Sequence, residues 1–299
     1  MNWKHRTHSP EDWVTHNVNV HAHSVESDGT LTIKEIDQIA KEWGGIIAVT
    51  DHNTARAHEL FSSTNILPGI EVKTAEADCG VDVLLYNTRE KLLTFCDRII
   101  YPARLDSNPL YGPTRLRLRK LLDKAVDYEC DIVIPHYHHV EGLAVLPHKE
   151  QLYIAKNYPI TVELNGRLSK SANRHAHLFA FLTRKSLIAS ADSHLPAHYI
   201  STYTTIPLPH SHSPTSRNLF RSLRKFPRFS QRFLEDQKIA DAIGTSWQII
   251  RTIGIGAIRD YIQRFLWLKP NPLKHRIYDK QKPPPQTWQI EDADDGDDF

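Results

Sequence analysis

The chain has 299 residues, 40% hydrophobic and 24% charged, which allows one large α/β domain with an extension and a substantial core. Lys and Arg total 37 against 35 Asp and Glu, a formal net charge of +2, so bulk electrostatics single out no polyanion partner. Cys79, Cys96 and Cys130 are scattered and odd in number, which excludes a disulfide framework and a Cys-X-X-Cys zinc site and fits a reducing cytoplasm. The opening MNWKHRTHSPEDW has no apolar signal region, and no uncharged run reaches the roughly 18 residues of a membrane span, so a soluble, cytoplasmic protein is expected. Histidine is the outlier. Its 18 copies exceed what solubility needs and raise the weight of a metal site or acid–base chemistry.

From about residue 17 to 207, short β-like runs alternate with helical patterns. The expected strands are NVNVHA from Asn17, GIIAVTDH from Gly45, ILPGIEVK from Ile66, VDVLLYN from Val81, DIVIPHY from Asp131, ITVELNG from Ile160 and SLIASADSH from Ser186. Between the first two, Ile33, Ile36, Ile39, Ala40 and Trp43 follow helical spacing, with Thr32 and Glu35 set for a capping box and Gly44 for the C-terminal turn. A second helix is expected through RLRLRKLLDKAVDYE, with Leu118, Leu121, Leu122 and Ala125 on one face. Strands alternating with helices imply a parallel sheet and, by strand number, a barrel.

The expected barrel occupies residues 1–210, followed by a basic, amphipathic helical extension over 211–270 and a Pro-rich linker with an acidic, disordered tail over 271–299. In the extension, Arg217 to Arg232 is basic with interleaved aromatics. It suits nucleic acid backbone or anionic lipid, although packing of its Phe and Leu residues on the barrel is the favoured reading. A later apolar stripe runs through Trp247, Ile250, Ile258, Tyr261 and Phe265 and is expected to dock on the same barrel rather than on a membrane or a second copy.

The strands end in metal-competent residues, and in βα folds the carboxyl ends of the strands carry the site. Alternation along the first strand sends Val18, Val20 and Ala22 one way and Asn19, His21 and His23 the other, and pairs Asp192 with His194 and, if the chain stays extended, His136 with His138. Taken singly, each has a plainer explanation: Glu71 as a strand carboxylate facing water, Asp28 as a turn residue, His52 beside a helix cap. Together they place His or acid at five strand ends on one rim, a costly arrangement without a cation. Imidazoles mixed with carboxylates suit Mn, Fe or Zn better than Ca or Mg, and the number of candidate ligands calls for two or three ions.

HAHSVESDGTLTIKEIDQIAKEWGGIIAVTDHNT, then PGIEVKT, PHYHH, VELNGR and SADSHLP in that order, resembles the polymerase and histidinol phosphatase (PHP) superfamily of metal-dependent phosphoesterases. The resemblance implies a distorted (β/α)7 barrel with a trinuclear site at the strand carboxyl ends. It implies that His21, His23 and Asp192 hold one metal, that Glu71 bridges to a second bound by His136, and that Asp28, His52 and His194 serve the third. Asp51 is expected to orient His52. His138 and His139 compete for a further ligand place, with His138 preferred for sharing a face with His136. Asn19 stands where many relatives have Asp, which weakens an expected hydrogen bond, and HYHH stands where many have His-Pro. Arg167 is assigned to a substrate phosphate, with a salt bridge to a rim carboxylate as the equal alternative.

The implied reaction is attack of a metal-bridging hydroxide on a phosphoester, with His194 or His52 protonating the leaving oxygen. The expected substrate is a small phosphate monoester, a nucleotide or an oligonucleotide end. Neither a GxSxG nor a glycine-rich phosphate loop competes. Two alternatives remain open: hydrolysis of a C–N or carboxylic ester bond by the same site, and a non-catalytic PHP-like binding protein.

Overall fold

A computed structural model describes residues 13–76, 80–225 and the backbone of 231–232. Six strands lie where the apolar runs put them, and β1 starts four residues before its run and ends three before that run ends: β1 (Trp13–Asn19), β2 (Ile46–Val49), β3 (Ile66–Lys73), β4 (Asp82–Tyr86), β5 (Asp131–Ile134), β6 (Ile160–Asn165) and β7 (Ser186–Ser190). An eighth, β8 (Tyr203–Pro209), lacks an apolar run and carries two prolines. It forms through its antiparallel register with β1, from Trp13 opposite Pro209 to Val18 opposite Thr204.

The strand order is β7-β6-β5-β4-β3-β2-β1-β8. The β1–β2, β2–β3, β5–β6 and β6–β7 pairs are parallel, whereas β4 opposes β3 and β5, and β8 opposes β1. Closure uses a side chain in place of a ladder. Thr204 Oγ1 on β8 accepts from Ala189 N at 2.7 Å and donates to Ala189 O at 3.1 Å on β7. A parallel bridge between Ala22 and Ser193 finishes the rim. The result is a nearly closed, distorted α/β barrel, the fold class expected from the sequence.

The helices are α1 (Ile33–Trp43), α2 (Arg56–Leu60), α3 (Arg89–Phe95), α4 (Tyr101–Ala103), α5 (Leu118–Asp127), α6 (His148–Asn157), α7 (Lys170–Thr183) and α8 (Ser216–Lys225). The start of α1 is a capping box between Thr32 and Glu35, and its end is Gly44 in the left-handed region at φ 69°. Helix α5 buries Leu118, Leu121, Leu122 and Ala125, the face its spacing predicts.

Side chains from seven strands fill the barrel, among them Val18, Val20, Leu67, Leu84, Tyr86, Val133, Ile188 and Ile206. Leu219, Phe220 and Leu223 of α8 join them, and the Phe220 ring lies 5.2 Å from that of Tyr86. Because β4 runs backwards, Tyr86 at its end marks the amino-terminal end of the parallel strands, and α8 plugs the barrel there. The carboxyl-terminal end is left for the polar residues.

The expected alternation along the first strand fails. Val18 and Val20 pack inside, but Ala22 packs outside against Ile33 and Ile36 of α1. Regular pairing ends at Asn19, after which the period of two no longer holds. Two other strand ends break in the same way. His136 and Asp192 have φ of 30° and 50°, in the left-handed region that non-glycine residues rarely adopt.

Candidate metal centre

His21 and His23 follow β1, His52 follows β2, Glu71 lies near the end of β3, His136 follows β5, and Asp192 and His194 follow β7. All meet at one barrel mouth. Three groups of ligand atoms form there: His21, His23 and Asp192; Glu71, Asp82 and His136; and His23, Asp28, His52 and His194.

The first group is closely spaced. The Nε2 atoms of His21 and His23 are 3.1 Å apart. They stand 3.2 and 3.3 Å from Glu71 Oε2, and 3.5 and 3.3 Å from Asp192 Oδ1. A tetrahedron with bonds of about 2.0–2.1 Å to a central cation has edges of about 3.3–3.4 Å, so these donors are spaced as a first coordination shell. The other carboxylate oxygen of Glu71 turns to the second group, 3.1 Å from His136 Nε2. In the third, Asp28 Oδ2 is 3.1 Å from His194 Nε2 and 3.5 Å from His52 Nε2. Glu71 thus turns Oε2 to His21 and His23 and Oε1 to His136.

The electrostatics ask for positive charge. Burial opposes ionisation of Glu71, Asp28 and Asp192, yet the surrounding histidines hold all three well below the usual carboxylate range. Burial likewise opposes the charged form of His52, but Asp28 and Glu71 raise it to about 10. His136 is raised to about 9 by Glu71 against the same penalty, and His21 well above its ordinary value by Asp192, Glu71 and Glu163. His23 in the middle goes the other way, lowered by burial and by His194. Some of the demand is unmet: neither oxygen of buried Asp82 accepts a hydrogen bond among the described residues, and burial raises this carboxyl to about 7. Divalent cations answer both observations, so the residues present fit a metal centre.

Asp82 is a ligand candidate that the reading by strand ends overlooks. It opens β4, and because that strand is reversed, its first residue lies where the others finish. Glu163 is also absent from the expected set. Buried on β6, it accepts from His21 Nδ1 at 2.9 Å and His136 N at 2.6 Å, and it also receives the Ser190 hydroxyl and Asn165 Nδ2. Held there, His21 directs Nε2 at the shared donors. A carboxylate in the apolar run TVEL was the available signal.

Two expectations are corrected. His138 does not share a face with His136: the left-handed turn at His136 sends it out to the surface, where its ring stacks 4.3 Å from that of His175. His139 lies nearer, its ring 5.1 Å from that of His136 and its pKa lowered to about 4 by burial and that neighbour. Asp51 orients a loop rather than His52, accepting from Ser24 N, Ser24 Oγ and Ser27 Oγ at 2.6–2.7 Å. Asn19 makes four hydrogen bonds: to Ser193 Oγ and Tyr199 O as donor, and from His21 N and Ala191 N as acceptor. Arg167 reaches the mouth, donating from Nη1 to Asp192 O at 3.0 Å with the same nitrogen 2.7 Å from His194 Nδ1.

The amphipathic stripe from Trp247 to Phe265, the 271–299 tail and Cys79 lie outside the described residues. Cys96 and Cys130 are free and buried. Among the described residues no helix is long and apolar enough to cross a membrane.

Fold and site together define an α/β barrel with clusters of metal-competent side chains at the carboxyl ends of its strands. No family model matches the chain, and no curated protein does. Among solved structures it is similar to PsfC from Pseudomonas syringae, at 16% identity and TM-score 0.56 over 78% of this chain and 98% of that one. It is similar to Endonuclease Q in complex with a 27-mer duplex substrate carrying an abasic lesion, at 14% identity and TM-score 0.57 over 78% and 67%. A two-domain protein from Bacteroides vulgatus containing a predicted PHP-like metal-dependent phosphoesterase aligns at 16% identity and TM-score 0.49 over 80% and 71%. The likeness to the first two is one of fold.

Proposed function

We propose that this chain is a hydrolase of phosphoesters that works with two or three divalent cations, Mn, Fe or Zn, on a small phosphate monoester, a nucleotide or a nucleic acid end. The observation that carries the reading is the sharing of ligands: Glu71 offers one oxygen to the His21–His23 side and the other to His136. Adjacent cations are what such a bridge serves. When bound there, such cations would supply a nucleophile from water near neutral pH and positive charge against that growing on phosphoryl oxygens.

The chain's own residues do the rest. His21, His23, Glu71 and Asp192 would hold the first position, Glu71, Asp82 and His136 the second, and Asp28, His52 and His194 the third. Glu163 fixes His21 from behind. His52 and His194 are ligands first in this reading, because His52 has a carboxylate near each ring nitrogen and His194 lies between Asp28 and Arg167. Arg167, with a buried Nε that has no hydrogen-bond partner among the described residues, turns its guanidinium to a phosphate oxygen. The fold shared with an endonuclease that acts on duplex DNA supports nucleic acid among the substrates.

The test is purification with Mn²⁺, elemental analysis, and assay of p-nitrophenyl phosphate, bis-p-nitrophenyl phosphate and 3′,5′-bisphosphonucleosides. Activity should appear and be lost, together with bound metal, in His21→Ala. Metal-loaded protein inert on every phosphoester would overturn the reading.

A further inference from the structure

The segment between α4 and α5 crosses the mouth beside the third ligand group, and it is tied down at residues next to the ligands. Asn53, the neighbour of His52, donates from Nδ2 to Leu110 O at 2.8 Å and to Gly112 O at 3.0 Å. Those carbonyls flank Tyr111. Asn53 O also receives Arg104 Nε at 2.8 Å, and Thr114 N and Oγ1 donate to Lys73 O, two residues beyond Glu71, at 2.8 and 2.9 Å. Within the loop, Tyr111 N donates to Asn108 Oδ1 at 3.1 Å and Gly112 N to Asn108 O at 3.0 Å. A Cβ at Gly112 would stand 2.6 Å from Asn108 O, so the turn is closed to larger residues. Tyr111 is therefore positioned before any substrate arrives.

Its ring meets that of His52 edge-on, centroids 5.8 Å apart. Its hydroxyl is buried and makes no hydrogen bond among the described residues. Buried hydroxyls are ordinarily satisfied, and one held unpaired by a pinned loop against a ligand cluster is placed for a partner that arrives later. A phenol, protonated at neutral pH, is a donor, and a phosphoryl oxygen is an acceptor.

We propose that the Tyr111 hydroxyl is a substrate contact that donates its hydrogen to a phosphoryl oxygen seated at the Asp28–His52–His194 group, which Tyr111 meets at His52 and Arg167 at His194. This deepens the phosphoesterase reading and rests on it for the identity of the ligand.

The test is calorimetric titration of inorganic phosphate into the Mn²⁺-loaded full chain, wild type against Tyr111→Phe, with metal content and melting temperature of both. A hydroxyl that is idle in the free protein predicts a dissociation constant for phosphate on the order of tenfold weaker in Tyr111→Phe, with metal content unchanged and the melting temperature not lowered. Equal phosphate affinity overturns the proposal. So does a lowered melting temperature with lost metal, which makes the hydroxyl structural, and so does a wild type that takes up no phosphate. Weakened phosphate binding in a protein that hydrolyses no phosphoester overturns the phosphoesterase reading alone. Hydrolysis with unaltered phosphate affinity in Tyr111→Phe overturns only the assignment of Tyr111.

Discussion

Asn19 ties the end of β1 to the end of β7 with all of its polar capacity, two hydrogens given and two accepted. Asp at this position keeps the acceptors but loses both donations, and it sets a charge against the Tyr199 carbonyl at 2.9 Å. Asn19→Asp should therefore cost about 2–3 kcal/mol in urea unfolding. An Asp variant as stable as wild type would show that the amide is not needed. Glu163 poses the complementary case, a carboxylate whose oxygens take four donors. Glu163→Gln turns a donor toward one of them and loosens His21. The expected result is metal affinity weakened about 10–100-fold by chelator competition, in a protein that still folds. Unchanged affinity would remove Glu163 from the support of the centre.

Among the elements, those that local rules specify were legible in the sequence. Helix α1 could be read end to end because its cap, stripe and terminal glycine are written within a dozen residues. The candidate ligands at strand ends, His21, Glu71, His136 and Asp192, were also legible as a cluster, because imidazoles and acids interrupt apolar runs there. What was hidden depends on direction and on broken period. Asp82 begins a strand and reaches the mouth only because β4 is reversed, a fact of topology that its own residues do not carry. His138 was misplaced by an alternation that ends where His136 turns left-handed. β8 stayed out of view because its apolar content is low and its partner, β1, lies far away in sequence. The plug by α8 is an element-scale device with a measurable contribution. Phe220 is 1% exposed among the barrel's inner side chains, so Phe220→Ala should cost about 3–5 kcal/mol of stability while leaving metal content per folded molecule unchanged. Metal lost from a folded Phe220→Ala protein would mean that the plug also shapes the distant mouth.

Across the whole molecule, protons and cations compete for one cluster, and the sign of that competition is set. In metal-free protein, His52 at about 10 and His136 at about 9 lie above their unfolded value, so their stabilisation is complete below about pH 6.5 and is lost as pH rises through 9 and 10. Glu71, Asp28 and Asp192 are depressed, so theirs is present above about pH 4 and is lost on acidification. Metal-free protein therefore weakens from about pH 6.5 toward alkaline pH, whereas below about pH 6.5 His23 and His139, held under their ordinary values first of all by burial, act against stability as the unfolded chain takes up protons. Metal-loaded protein follows the opposite course over that range, because each cation must displace the protons on His52 and His136, and that displacement becomes easier as pH rises. The gain in Tm from loading should therefore widen from about pH 6 to about pH 9, since stabilisation follows the ratio of free metal to its dissociation constant. Calorimetric titration near neutral pH, in buffers of different ionisation heat, should register protons released on binding. A gap that narrows with rising pH, or heats that ignore the buffer, would mean that the imidazoles are already neutral before metal arrives. The cluster would then be held by its carboxylates alone.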